Sequence, residues 1–174
     1  MRWALGSVTT KLLRTTNRPV LVVRGSETPP KNIRVPHRIM IALDGSTLAE
    51  RALPMATNLA RMTGAELLLT QVIESYDAPF AVFNSSDSLN HMREVAFGYL
   101  EHVANNLREE TGRHITTTVP VGHVAEALLE EAQRKEIGLV VLGRHGIGAA
   151  HATFLGGTAD KLTQASNLPL LIAS

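Results

Sequence analysis

The chain has 174 residues, 44% of them apolar, with a formal net charge of +1 and no cysteine. That length suits one well-packed domain plus a short extension, while the balanced charge and 4% aromatic content argue against nucleic-acid binding. The missing cysteines exclude disulfide frameworks, thiolate zinc sites and thiol catalysis, and no apolar run reaches the roughly 18 residues of a membrane span.

Residues Met1 to Arg24 carry scattered basic residues without the basic, apolar, small-residue order of a signal peptide, so a cytoplasmic location is expected. The same stretch holds an internal repeat. Shifted by 150 positions without a gap, Leu5, Gly6, Lys11, Leu12, Asn17, Pro19 and Leu21 fall on Leu155, Gly156, Lys161, Leu162, Asn167, Pro169 and Leu171. Both copies open on glycine, run through a helix of about three turns, stop at Asn, and follow Pro with an aliphatic strand. The repeat spans only a last helix and a last strand. Residues 1–24 therefore read as the remnant of a preceding copy of the fold, 25–36 as a linker rich in Pro and polar residues, and 37–174 as a complete domain.

From His37 the pattern alternates strand and helix. Ile39–Leu43 is a first strand of the domain, ended by Asp44-Gly45-Ser46. Thr47 with Glu50 suggests a capping box opening a helix that runs to Met62 and ends at Gly64, with Pro54 inside it as an unexplained kink. Leu67–Ile73 is the next strand, followed by a Ser-rich loop from Ser75 to about Ser88. A long amphipathic helix over Met92–Leu107 follows, then a strand at Ile115–Val121 whose polar alternation places it near a sheet edge. A helix through Val124–Ala132 leads to Leu139–Leu142, the most apolar strand and hence central, before the repeated helix and strand close the chain. These elements predict an α/β, doubly wound, five-stranded parallel sheet of Rossmann-like type, with an extra N-terminal helix–strand segment.

In such sheets ligands bind beyond the carboxyl ends of the strands, where the strand order reverses. Two strand ends stand out: Asp44-Gly45-Ser46, and Gly143-Arg144-His145-Gly146, with Gly156-Gly157-Thr158 opening the last helix. Glycines let backbone amides approach an anion, and a helix start favours phosphate. Asp44 could accept from a ribose hydroxyl. The same residues also suit ordinary turns and caps, and composition alone leaves both readings open.

The order Asp44-Gly45-Ser46, then Gly143-x-x-Gly146, nine residues, then Gly156, resembles the universal stress protein family over residues 37–174. The resemblance implies the adenine nucleotide alpha-hydrolase-like fold and an ATP-binding (or AMP- or ADP-binding) regulatory module of the stress response. Gly143, Arg144, His145, Gly146, Gly156, Gly157 and Thr158 would lie about the phosphates, and Asp44, Ala42 and Val72 about the ribose and adenine. Mg²⁺ or Mn²⁺ would enter through the phosphates and not through protein ligands. In ATP-binding members the last glycine is followed by Ser or Thr; here Gly157 stands there, and the hydroxyl comes one residue later at Thr158. The resemblance further implies a homodimer through the last strand, residues 169–173, unless segment 19–24 pairs with that strand within the chain.

Seven histidines show no ligand spacing, and no protein metal site is expected. His151 flanks the glycine loop and reads as solvated, as do Glu109-Glu110 and Glu130-Glu131 on helix surfaces. No nucleophile elbow or P-loop lysine occurs, so no catalytic residue is assigned and at most slow ATP hydrolysis is expected. Two alternatives stay open: a nucleotide-free dimeric interaction protein of the same fold, favoured by Gly157, and an enzyme hydrolysing adenine nucleotides.

Overall fold

The computed structural model describes residues 7–25, 35–75, 86–146 and 155–173. Most of the expected linker, most of the Ser-rich loop, the repeat's Leu5 and Gly6, and His151 lie outside these residues. The elements run α1 (Ser7–Thr15), β1 (Val20–Val22), β2 (Arg38–Ala42), α2 (Thr47–Glu50), α3 (Leu53–Thr63), β3 (Glu66–Thr70) and β4 (Ile73–Glu74). They continue α4 (Ser86–Thr111), β5 (Ile115–Thr118), β6 (Val121–Gly122), α5 (Val124–Arg134), β7 (Leu139–Gly143), α6 (Gly157–Ala165) and β8 (Leu170–Ala173).

The main sheet has six strands in the order β1-β8-β7-β2-β3-β5. All neighbours are parallel except β1, which pairs antiparallel with β8. Strand alternation sorts the core onto two faces. Ile39, Ile41, Leu67, Leu69, Val141 and Leu171 pack with α2, α3 and α4 on one side. Met40, Leu68, Val140, Leu142, Leu170 and Ile172 pack with α5, α6 and Leu13 of α1 on the other. Continuous burial in β2 and β7 follows from cover on both faces, as expected for central parallel strands. β5 lies at the sheet edge, where its Thr-rich pattern placed it.

Four local expectations are corrected. The helix after β2 is not continuous: α2 ends at Glu50, and α3 restarts at Leu53 with Pro54 in its first turn, where a missing N–H costs nothing. That restart is the physical reason Pro54 is tolerated without a kink. The cap of α2 is Ser46 and not Thr47; Ala49 N donates to Ser46 Oγ at 3.1 Å, while Glu50 accepts from Tyr99 Oη of α4 at 2.9 Å. Strand Leu67–Ile73 breaks after Thr70, and Ile115–Val121 after Thr118. The chain continues from each into β4 and β6, which form a separate two-stranded parallel sheet. Finally, Glu131 is not a solvated side chain but is 4% exposed, accepting from Thr118 Oγ1 and ion-paired with Arg134.

Candidate functional site

The strand order reverses between β2 and β7: β3 and β5 follow on one side of β2, β7 and β8 on the other. The carboxyl ends of β2 and β7 therefore open onto the crevice where this class of sheet takes ligands. Every residue singled out from the sequence for binding falls at this end of the sheet or at the start of α6.

Asp44 leaves β2 through a tight turn. Gly45 has φ +84°, a left-handed conformation that suits glycine. Ser46 N and Oγ both donate to Asp44 Oδ1, at 2.9 and 2.6 Å. The turn thus fixes the carboxylate, and the same serine caps α2. Asp44 Oδ2 lies against Gly146, where a β-carbon would approach it to 2.1 Å.

The glycines divide into two roles. A β-carbon on Gly143 would meet Leu48 O at 3.0 Å and Ala49 Cα at 3.1 Å, so this glycine lets α2 come down on the end of β7. One on Gly156 would meet Arg144 O at 3.0 Å, and the Gly156 amide donates to that same carbonyl at 2.9 Å. Gly143, Gly146 and Gly156 therefore permit close approach of chain to chain. Gly157 differs: its β-carbon position has nothing within 4 Å. Gly156 is the N-cap of α6 and offers no side chain, so the amides of the first turn, from Gly157 and Thr158 onward, lack a side-chain cap. Such a helix start attracts anions through its free donors and its dipole.

Arg144 is anchored by its backbone, its amide donating to Ala173 O at 2.9 Å. Its side chain is 8% exposed, and its Nε and Nη2 are buried without a hydrogen-bond partner. A buried guanidinium with unmade bonds is costly, and an anion is the group that completes it. His145 has a buried Nδ1, likewise unpartnered. Burial first, and then the Arg144 cation beside it, hold its imidazole below the usual histidine range.

Two polar residues escaped the sequence reading. Thr70 Oγ1 and Gln71 Oε1 are buried without partners at the end of β3. Thr70 stands in register with Ala42, which is itself in register with Leu142. Ala42 and Val72 pack with the α5–α6 side of the core. The only trace in the sequence is the polar Thr70-Gln71 pair interrupting Leu67-Leu68-Leu69 and Val72-Ile73. Among the described residues, no group of three or more His, Asp or Glu could hold a metal, and no helix is long and apolar enough to cross a membrane.

A mostly parallel, Rossmann-like sheet with helices on both faces and this switch point defines a protein of the doubly wound α/β class. Residues 36–174 match the model of the universal stress protein family, and the chain belongs to that family. It is 27% identical over 150 residues to universal stress protein YxiE of Bacillus subtilis, covering 78% of this chain and 97% of YxiE. It is 29% identical over 173 residues to a universal stress protein of Mycolicibacterium smegmatis, covering 98% of this chain and 56% of that protein. The chain thus spans nearly all of some relatives and little more than half of others. Among solved structures, UspA of Lactobacillus plantarum superposes with a TM-score of 0.70 at 20% identity, over 82% of this chain and all of that one. A universal stress protein in complex with cAMP superposes with a TM-score of 0.59 at 22% identity, over 81% of this chain and 98% of that one.

Proposed function

We propose that this chain is an adenine-nucleotide-binding regulatory module, taking ATP, ADP or AMP at the β2–β7 switch point. The observation that carries the reading is the buried Arg144 guanidinium, its Nε and Nη2 without partners, on the residue whose backbone carbonyl accepts from the Gly156 N-cap at the start of α6. Both supply what a phosphate needs: fixed positive charge and free backbone donors. Asp44, held by its turn, would accept from a ribose hydroxyl, and Ala42 and Val72 would flank the base. A bound Mg²⁺ or Mn²⁺ would be held through phosphate oxygens and would screen their charge. The related fold solved with cAMP supports an adenine nucleotide as the ligand class. In this reading the module acts in the cytoplasm, in the response to stress.

A second reading, a nucleotide-free interaction protein, is favoured by one observation: Gly157 lacks the hydroxyl that ATP-binding members resembling this chain place there. The loss of one hydrogen bond to a charged group amounts to roughly 1.5–3 kcal/mol, about ten- to a hundredfold in affinity. The amides of α6 and Arg144 remain, so binding is weakened and not abolished.

Mass spectrometry of small molecules released from the purified protein, with a thermal-shift titration in millimolar ATP and Mg²⁺, tests the choice. Nucleotide released, or a saturable rise in Tm, supports the first reading; neither supports the second.

Residues 1–24 belong to the proposal as the last helix and strand of a preceding copy of the fold. In this segment Leu12 of α1, Leu21 of β1 and Val23 just after β1 are exposed, whereas their repeat counterparts Leu162, Leu171 and Ala173 are buried by the body of the domain. The match of 98% of this chain to about half of the mycobacterial relative supports the same reading.

A further inference from the structure

Helix α6 closes neither of its ends with its own charged side chains. Its N-cap is Gly156, which has no side chain to offer, and its last turn carries no basic residue. A helix also leaves its last four carbonyls without partners inside the helix. Those of α6 are met from far away in the sequence. Arg24, two residues beyond β1, donates from Nε to Ser166 O at 2.6 Å and from Nη2 to Thr163 O and Gln164 O at 2.7 and 2.9 Å. One guanidinium therefore caps the helix and sets a positive charge at the negative end of its dipole.

The helix so capped is the one whose opposite end is assigned to the phosphates. It has nine residues, about 13 Å of helix, and a helix this short is marginal unless its faces and ends are held. Its buried residues Ala159 and Leu162 pack in one cluster with Leu13 of α1. At its start, Gly156 N donates to Arg144 O at 2.9 Å, so the seating of α6 sets how the amides of Gly157 and Thr158 stand relative to Arg144. Arg24 and a bound phosphate complement opposite ends of one dipole, and both favour the fully wound helix. Two groups that favour the same state strengthen each other's binding.

Resting on the nucleotide-binding reading above, we infer that Arg24 is a positioning residue for the phosphate-binding start of α6, acting along the helix from its other end. With Arg24 in place, α6 is wound to its last turn and the amides of Gly157 and Thr158 are held beside Arg144. With it withdrawn, the last turn loosens and the start loses its alignment. By reciprocity, nucleotide at the start of α6 holds residues 7–25 more tightly against α6 and β8.

The test compares the full chain with Arg24→Ala, Arg24→Lys and Arg18→Ala, the last removing an exposed cation from the same segment as a control for net charge. Isothermal titration with ATP and Mg²⁺ is expected to show R24A about five- to tenfold weaker than the parent and R18A equal to it. R24K should fall between, since its ammonium keeps the charge and loses the fork of donors. In the ligand-free protein, R24A is expected to move the backbone amide signals of Gly157 and Thr158, which a purely local cap would leave in place. In the parent, saturating ATP is expected to slow hydrogen exchange at the Ser166 amide and in β1. An R24A protein that binds ATP as the parent does, or whose Gly157 and Thr158 signals stay still, overturns the inference and leaves the nucleotide reading standing. An R18A protein weakened as much as R24A overturns it too, by assigning the effect to net charge. A parent chain that binds no ATP overturns the nucleotide reading and this inference together. If R24A loses its thermal transition, R24K decides: weaker ATP binding than the parent supports the inference, and equal binding overturns it.

Discussion

Asp44 and Gly146 meet across the switch point so closely that a β-carbon on residue 146 would lie 2.1 Å from Asp44 Oδ2. The carboxylate fixed by one loop thus sets the position of the other. The atom in the way is the end of a side chain and can rotate aside. Gly146→Ala is therefore expected to leave Tm nearly unchanged while displacing Asp44 and weakening adenine nucleotides about tenfold, the scale of one charge-assisted hydrogen bond. Gly143→Ala is expected to do the reverse. Its β-carbon meets the backbone of Leu48 and Ala49, and overpacking of this kind costs about 1–3 kcal/mol, read as a lowered midpoint in urea. Equal effects of the two substitutions on stability would contradict this division.

Gly157 stands in open space at the first turn of α6. Gly157→Ser therefore meets no steric penalty and replaces glycine with a better helix former. Nucleotide affinity is expected to rise ten- to a hundredfold, with Tm level or slightly raised. Isothermal titration of the two proteins measures the difference; unchanged affinity would show that residue 157 does not touch the ligand.

Arg144→Met keeps the bulk of the side chain and removes the partnerless cation. Replacing a buried unpaired charge with an apolar group is often neutral or stabilising, so the ligand-free variant should melt no lower than the parent. Its affinity for ATP should fall by at least about tenfold. A large loss of stability instead would assign Arg144 a structural role.

His145 gives a pH signature. Its folded pKa is lowered by burial and by Arg144, so the neutral imidazole contributes stability that is fully present above its ordinary value of about 6.5. That contribution is lost as pH falls through the lower, folded value. His145→Gln should flatten the fall in Tm between about pH 7 and pH 5. A bound phosphate favours the imidazolium, so nucleotide should move the His145 titration upward by NMR; a downward shift would place the anion elsewhere.

The sequence shows its α/β order through periodicity, because strands buried on both faces, such as Leu139–Leu142, and stripes such as Ala96, Leu100, Val103 and Leu107 leave unmistakable runs. The pairing of segment 19–24 with the last strand was expected as well, from the repeat and the family resemblance, but its register comes from the structure. Less legible was whatever depends on contacts distant in sequence. Pro54 reads as a fault in one helix until Ala52 is seen ending the turn between two. Glu131 looks like a surface charge until Thr118 arrives from β5 to bond it. At the site, the glycine spacing identified the loops, but their division into packing glycines and one open glycine depends on the approach of α2, Asp44 and Arg144 O. The unpartnered Thr70 and Gln71 atoms have no local signal beyond two polar residues in an apolar strand.

The central claim is that the start of α6 and Arg144 together hold the phosphates of an adenine nucleotide. The most direct measurement is a titration of the isotopically labelled full chain with ATP and Mg²⁺, following the backbone amides of Gly157 and Thr158 and the side-chain Nε of Arg144. Saturable shifts at these positions, below millimolar ligand and lost in Arg144→Met, are the predicted result. Amides that stay still to high millimolar ATP, or that shift only at residues away from β2, β7 and α6, would contradict it.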